Sequence, residues 1–268
     1  MKEKVFRSLF AATFFALMPA LVAAQKIETG FLNRTVKVGG SEFRYVVYVP
    51  REFDRKKTWP VIVALHGGGE YGSDGLSQTA GGLARAIRLN PERFPAIVVF
   101  PQSKADGTPG WHLEGGKAAL AALDKSLKEF RGDPKRVVLT GYSAGGNGTW
   151  SISLRYPERF AAIVPICGFV SKRAGRTSGV NYPSLAPASA GDVFEFVAKR
   201  VAALPIWIFH GDADASVSVD ESRKMFAALR AQNANVTYTE LPGVDHNAWD
   251  PAYARADLIE WMLKQRRR

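Results

Sequence analysis

Six apolar runs, "PVIVALHG", "AIVVFPQ", "RVVLTGYS", "FAAIVPICG", "LPIWIFHG" and "VTYTELPG", recur along the chain with helix-patterned stretches between them. Continuous apolar strands separated by helices belong in a mostly parallel sheet, because each crossover must pass over a face of the sheet and a helix covers that face. The predicted helices, residues 79–89, 115–130, 146–156, 192–203, 219–232 and 251–265, include several with apolar residues at three- and four-residue spacing. Crossovers of this kind are right-handed and put function at the carboxyl ends of the strands. Strand ends are therefore where reactive residues are sought.

Ahead of this pattern, "TVKVGGSEFRYVVYVP" reads as two alternating strands around Gly39 and Gly40, a hairpin that closes with Pro50. The expected fold class is α/β: a mostly parallel central sheet with helices on both faces and an antiparallel N-terminal hairpin. At 268 residues and 46% hydrophobic content, the chain fits one catalytic-size domain, expected over residues 25–268.

Residues 1–24 read as a secretory signal. Lys2, Lys4 and Arg7 precede an apolar run from Leu9 to Ala24, and Val22 and Ala24 stand where a signal peptidase reads, which places the cut after Ala24. A membrane anchor fits less well, since the run falls short of the ~20 residues a spanning helix needs and contains Pro19. The protein is therefore expected in the periplasm or outside the cell, without stable membrane insertion.

The formal charge is +11, but Lys and Arg are scattered among acids and only Arg266 to Arg268 form a block. That is a solvated surface rather than a nucleic-acid partner's footprint. Cys167 is the only cysteine, so no intramolecular disulfide or thiolate metal cluster can form, and in "AAIVPICGF" it reads as a buried, inert thiol. The segment from Ser171 to Gly191 is rich in Ser, Ala, Gly and Pro. It is long for a connection, which makes it either a cap over a site or a surface loop.

The run "VVLTGYSAGGNGTW" carries Gly141-Tyr142-Ser143-Ala144-Gly145, a G-x-S-x-G pattern between a strand and a helix. At such a turn the serine is held in a strained conformation with its oxygen exposed, and the glycines avoid collision with the neighbouring strand and helix. The helix start adds backbone N–H groups that favour developing negative charge, Ala144 being one expected donor.

A neutral serine needs a base, and the base needs a carboxylate to hold its tautomer. On a sheet of this type the acid and then the histidine follow the serine along the chain. Only His210 and His246 lie beyond Ser143, and His210 ends its strand just before Asp212 and Asp214, which leaves His246 as the base for an acid at that strand end. Asp212 and Asp214 leave the same strand end, and residue type alone does not separate them. A second oxyanion donor is expected from His66-Gly67-Gly68-Gly69, at the Gly68 amide, with His66 bracing that loop.

With these residues assembled, the chain resembles the α/β-hydrolases, and more narrowly the exported esterases and peptidase-like proteins related to polyhydroxybutyrate depolymerases and feruloyl esterases. The resembling stretches are "LHGGGEYGSD", "VVFPQ", "VVLTGYSAGGNGTW", "RYPERFAAIVPICG", "LPIWIFHGDADASVSVDES" and "LPGVDHNAWDPAY". The resemblance implies Ser143 as nucleophile, Asp214 as acid, His246 as base, and Gly68 and Ala144 as oxyanion donors. It also implies that Gln102, Trp111 and Trp249 line the site. Tyr71 stands where the family often has Arg, and Ala215 and Ser216 where it usually has Pro and Val. These departures bear on loop packing and substrate choice.

The implied activity is hydrolysis of short acyl or aryl esters, including polysaccharide-linked ones, with no metal or cofactor. The same triad serves peptide hydrolysis, and a binding module that merely retained the fold is the third reading.

Overall fold

The computed structural model describes residues 28–104, 110–174 and 180–268. The expected signal segment, residues 1–24, lies outside the described residues. Strand β1 (Gly30–Val38) pairs antiparallel with β2 (Ser41–Val49), from Gly30 opposite Val49 to Val38 opposite Ser41. Gly39 and Gly40 connect them with φ of 55° and 82°. A two-residue hairpin with both central residues at positive φ favours glycine, which adopts that conformation without a Cβ penalty.

The main sheet continues with β3 (Trp59–Leu65), β4 (Ile97–Pro101), β5 (Gly132–Tyr142) and β6 (Ala162–Ile166). A small antiparallel pair follows, β7 (Arg173–Ala174) with β8 (Asn181–Tyr182), and then β9 (Ile206–Gly211) and β10 (Val236–Leu241) complete the main sheet. Its order is β1-β2-β4-β3-β5-β6-β9-β10. The β2–β4 pairing is antiparallel, and every pairing from β4 to β10 is parallel.

Helices α1 (Gly82–Leu89), α2 (Glu114–Glu129), α3 (Ala144–Arg155), α4 (Val193–Val201), α5 (Asp220–Ala231), α6 (Trp249–Ala254) and α7 (Ala256–Lys264) cover the two faces. The strand side chains sort themselves by parity. Val61, Val63, Leu65, Val137 and Leu139 join residues of α2, α3, α4 and α5 in one core cluster. Ile62, Ala64 and Val138 join α1, α6 and α7 in the other. Successive residues of a strand point to opposite faces, so a sheet buried on both sides reads as an unbroken apolar run.

The last predicted helix, residues 251–265, is two helices. Arg255 adopts φ −72° and ψ 126° between them, and this turn lets Tyr253 of α6 and Leu258 of α7 bury in the same cluster. No glycine or proline marks the break, so helical periodicity ran through it. Among the described residues no helix is long and apolar enough to cross a membrane.

Candidate active site

The carboxyl ends of β3, β5 and β9 and the loop after β10 converge on one edge of the sheet. At the end of β5 the chain turns directly into α3, with Ser143 at φ 54° and ψ −117°. This region is costly for any residue with a Cβ, on the order of 1–3 kcal/mol, and persists only where the surroundings enforce it. Two backbone bonds do so: Ser143 N–H donates to the Ile166 carbonyl at 3.0 Å, and Ser143 C=O accepts from Asn147 N–H at 2.9 Å. A methyl group on Gly141 would strike the Gly145 carbonyl, and one on Gly145 the Leu65 carbonyl. The flanking glycines answer to strand and helix backbones packed too closely for a side chain.

His246, in the loop between β10 and α6, places Nε2 at 2.9 Å from Ser143 Oγ and Nδ1 at 2.7 Å from Asp214 Oδ2. Carboxylate oxygen only accepts, so Nδ1–H donates to Asp214 and Nε2 is left to accept from the Ser143 hydroxyl. Asp214 side-chain oxygens are fully covered. Its Oδ1 accepts from the Ser216 and Val217 amides at 2.7 and 2.8 Å. Burial opposes ionisation here, but the hydrogen bonds from His210, His246 and the Val217 amide outweigh it and hold the carboxyl well below the usual carboxylate range.

Asp212, the other acid of this strand end, accepts instead from the Gly243 amide at 2.7 Å and ties its turn to the loop after β10. Asp245 caps its own loop by accepting from the Asn247 amide.

Sequence reasoning left His210 as a strand end, whereas the structure puts it behind the acid. His210 Nε2 lies 3.2 Å from Asp214 Oδ2 and 3.0 Å from the Val217 carbonyl, and Nδ1 lies 2.7 Å from Ser222 Oγ. Two acceptors face Nε2, so that nitrogen carries a proton, and Nδ1 meets the Ser222 hydroxyl. The signal was the four-residue spacing within "HGDAD".

Gly68 opens a short 3-10 helix over Gly68–Glu70, and Ala144 opens α3. Amides in a first helical turn have no partner inside the helix, and both residues line a cavity of about 260 Å³ beside Ser143. His66 secures the loop. Its Nε2 accepts from the Ser103 amide at 3.0 Å, which places the proton on Nδ1, a donor to the Gly67 carbonyl at 2.7 Å. Burial lowers its pKa to about 4, so the ring is neutral.

The three residues expected to line the site divide. Trp249 does line the cavity, its ring stacked on Tyr142 at 4.4 Å and edge-on to His246 at 5.5 Å. Gln102 and Trp111 do not, which corrects the expectation for both. Gln102 is buried, accepts from Gly75 N–H, and donates to Asp74 and the Glu70 carbonyl, so its amide is consumed in bracing the loop. Trp111 is buried against His66 and donates from Nε1 to the His66 carbonyl at 3.2 Å. Polar residues after a strand end look alike in sequence whether they face the cavity or the loop behind it.

The segment from Ser171 to Gly191 forms part of the cavity wall through the β7–β8 pair. Arg173, Tyr182 and the preceding Phe169 line the cavity, and Leu185 turns back into the main core.

Cys167 is buried with φ 39°. Its sulfur, Asp214 and His246 offer ligand atoms within 4.8 Å of one another. They make a poor metal site: burial raises the thiol pKa well above its usual value, and both ring nitrogens of His246 are engaged.

Sheet order and strand-end geometry define an α/β-hydrolase. The chain belongs to the prolyl oligopeptidase family, whose pattern matches residues 117–265. It is 30% identical to a thermostable esterase of known structure, with a TM-score of 0.71 over 88% of this chain and 63% of that one. An uncharacterized secreted protein of Arthroderma benhamiae is 26% identical over 77% of this chain and 23% of its own length. A probable acetylxylan esterase A of Aspergillus fumigatus is 28% identical over 61% of this chain and 46% of its own. The chain thus spans less than half the length of these curated relatives.

Proposed function

We propose that the protein is an exported serine carboxylesterase acting on short acyl or aryl esters, including esters that decorate polysaccharides. What carries the reading is the unbroken hydrogen-bonded series from Ser143 Oγ through His246 to Asp214, with 2.9 and 2.7 Å links, opening on a cavity. The likeness to proteins named as esterases supports it. Residues 1–24 serve as the export signal and 25–268 as the catalytic domain.

In this reading Ser143 Oγ attacks the ester carbonyl carbon while His246 Nε2 takes its proton. The tetrahedral oxygen receives hydrogen bonds from the Gly68 and Ala144 amides, each worth roughly 3 kcal/mol of transition-state stabilisation in comparable sites. His246 then protonates the leaving alcohol, and water, deprotonated by the same nitrogen, releases the acid from Ser143. Asp214 stays ionised throughout and supports the imidazolium.

The family match favours peptide bonds as a second substrate class. Turnover of 4-nitrophenyl acetate without turnover of peptide anilides is the expected result, and loss of fluorophosphonate labelling in Ser143→Ala ties the activity to that residue. Anilide hydrolysis with no ester hydrolysis would reverse the assignment.

A further inference from the structure

One wall of the cavity carries a cation that the reaction scheme leaves unused. Arg173, on β7, is half-buried, and its Nη2 donates to the Ser216 carbonyl at 2.6 Å while the guanidinium lies 4.7 Å from the centre of the Phe169 ring. Ring and carbonyl fix its plane beside Val217 and Tyr182, which also line the cavity.

Among the described residues Arg173 has no carboxylate partner. The nearby acid in sequence contact with this wall, Glu221, is taken up by the Val170 amide and by Ser171. Glu70, a carboxyl that lines the cavity, sits on the oxyanion loop against Gly67 and Tyr142, and among the described residues it makes no ion pair with Arg173. The Ser216 carbonyl and the Phe169 ring hold the guanidinium in place, and a ligand carboxylate would add the ion-pair partner that no described side chain provides. A guanidinium presents several N–H donors in one plane, so with one donor committed to Ser216 it retains others for a planar oxyanion.

We infer that Arg173 reads a carboxylate on the substrate, so that the site prefers esters bearing an acid group to neutral esters of equal size. The inference rests on the serine-esterase reading and names the substrate class of that site. The acid can sit on the acyl or on the alcohol portion, and the experiment separates them.

Two matched pairs serve as probes: 4-nitrophenyl hemisuccinate against its methyl ester, and 3-acetoxybenzoate against 3-acetoxybenzamide. Active enzyme is counted by fluorophosphonate labelling. The wild-type protein should favour the acid member of at least one pair by about tenfold in kcat/KM, as a charge-assisted hydrogen bond supplies, and the preference should shrink as salt is added. Within each enzyme the acid-to-neutral ratio should fall to about one in Arg173→Gln and remain above one in Arg173→Lys.

Equal turnover within both pairs, or a preference that persists in Arg173→Gln, would overturn the role of Arg173 while leaving the esterase reading intact. Failure to hydrolyse any of the four esters would remove the esterase reading, and the inference with it. Should Arg173→Gln not accumulate as labelled enzyme, the wild-type ratios, their salt dependence and Arg173→Lys still decide.

Discussion

His210 and His246 share one oxygen of Asp214: Nε2 of the first lies 3.2 Å from Oδ2 and Nδ1 of the second 2.7 Å. The acid is thus held from both sides, by the base in front and by a fully buried ring behind. Replacing His210 by Leu removes a hydrogen bond to a charged group, so kcat/KM should fall about tenfold. The Asp214 carboxyl, held well below the usual carboxylate range in part by the His210 hydrogen bond, should then be less well stabilised as the ion that supports the imidazolium. His210→Gln keeps a donor and should recover part of the rate. The kcat/KM of ester hydrolysis for wild type and the two variants checks this, and equal damage by Leu and Gln would contradict it.

The strain at Ser143 predicts an unusual stability order. Ala retains the Cβ that φ 54° disfavours, whereas Gly adopts this backbone freely at a smaller cost in unfolded-state entropy. Ser143→Gly should be more stable than Ser143→Ala by about 1 kcal/mol, with both inactive. Urea unfolding of the pair measures the difference.

Gly145 faces the Leu65 and His66 carbonyl oxygens, so a methyl group there forces two backbones apart. Gly145→Ala should lose about 3 kcal/mol of stability and most activity, since the displaced loop also carries Gly68. Gly243, with φ 69° but nothing within 4 Å of an added Cβ, gives a strain-only comparison. Gly243→Ala should cost less, as read from the two unfolding midpoints.

His66 makes stability depend on pH in a stated direction. Its folded-state pKa is about 4 against 6.5 for the free side chain. Above pH 6.5 neither state binds the proton and the full stability is present. As pH falls toward 4 the unfolded chain takes up the proton and the folded one does not, so stability is lost by up to about 3 kcal/mol. His66→Gln removes this share, and the stability gap between wild type and variant should narrow over that interval. Urea unfolding across a pH series would disagree if the gap stayed constant.

The alternation of apolar runs with helical periodicity carried the sheet and most helices, because burial on both faces leaves a mark on every residue of a strand. The α6–α7 break left none, since Arg255 turns the chain without Gly or Pro. The meeting of Ser143 and His246 was legible because chemistry restricts both their types and their order, whereas residue type did not separate Asp214 from Asp212, which differ by the partners the fold gives them. Gln102 and Trp111 were misplaced because their side chains turn into the loop's own hydrogen bonds, a choice made by packing across distant segments. Arg173 escaped notice for the same reason: only the fold brings β7 beside the strand end that bears Asp214.

The sheet order has one more implication. Ser143 leaves β5, deep in the sheet, whereas His246 follows β10, the margin strand, which pairs with β9 alone. Peeling away that margin would disarm the reactive oxygen without disturbing the strand that presents it. Inactivation by mild heat or denaturant can therefore begin as a reversible loss of the proton carrier, ahead of any collapse of the interior.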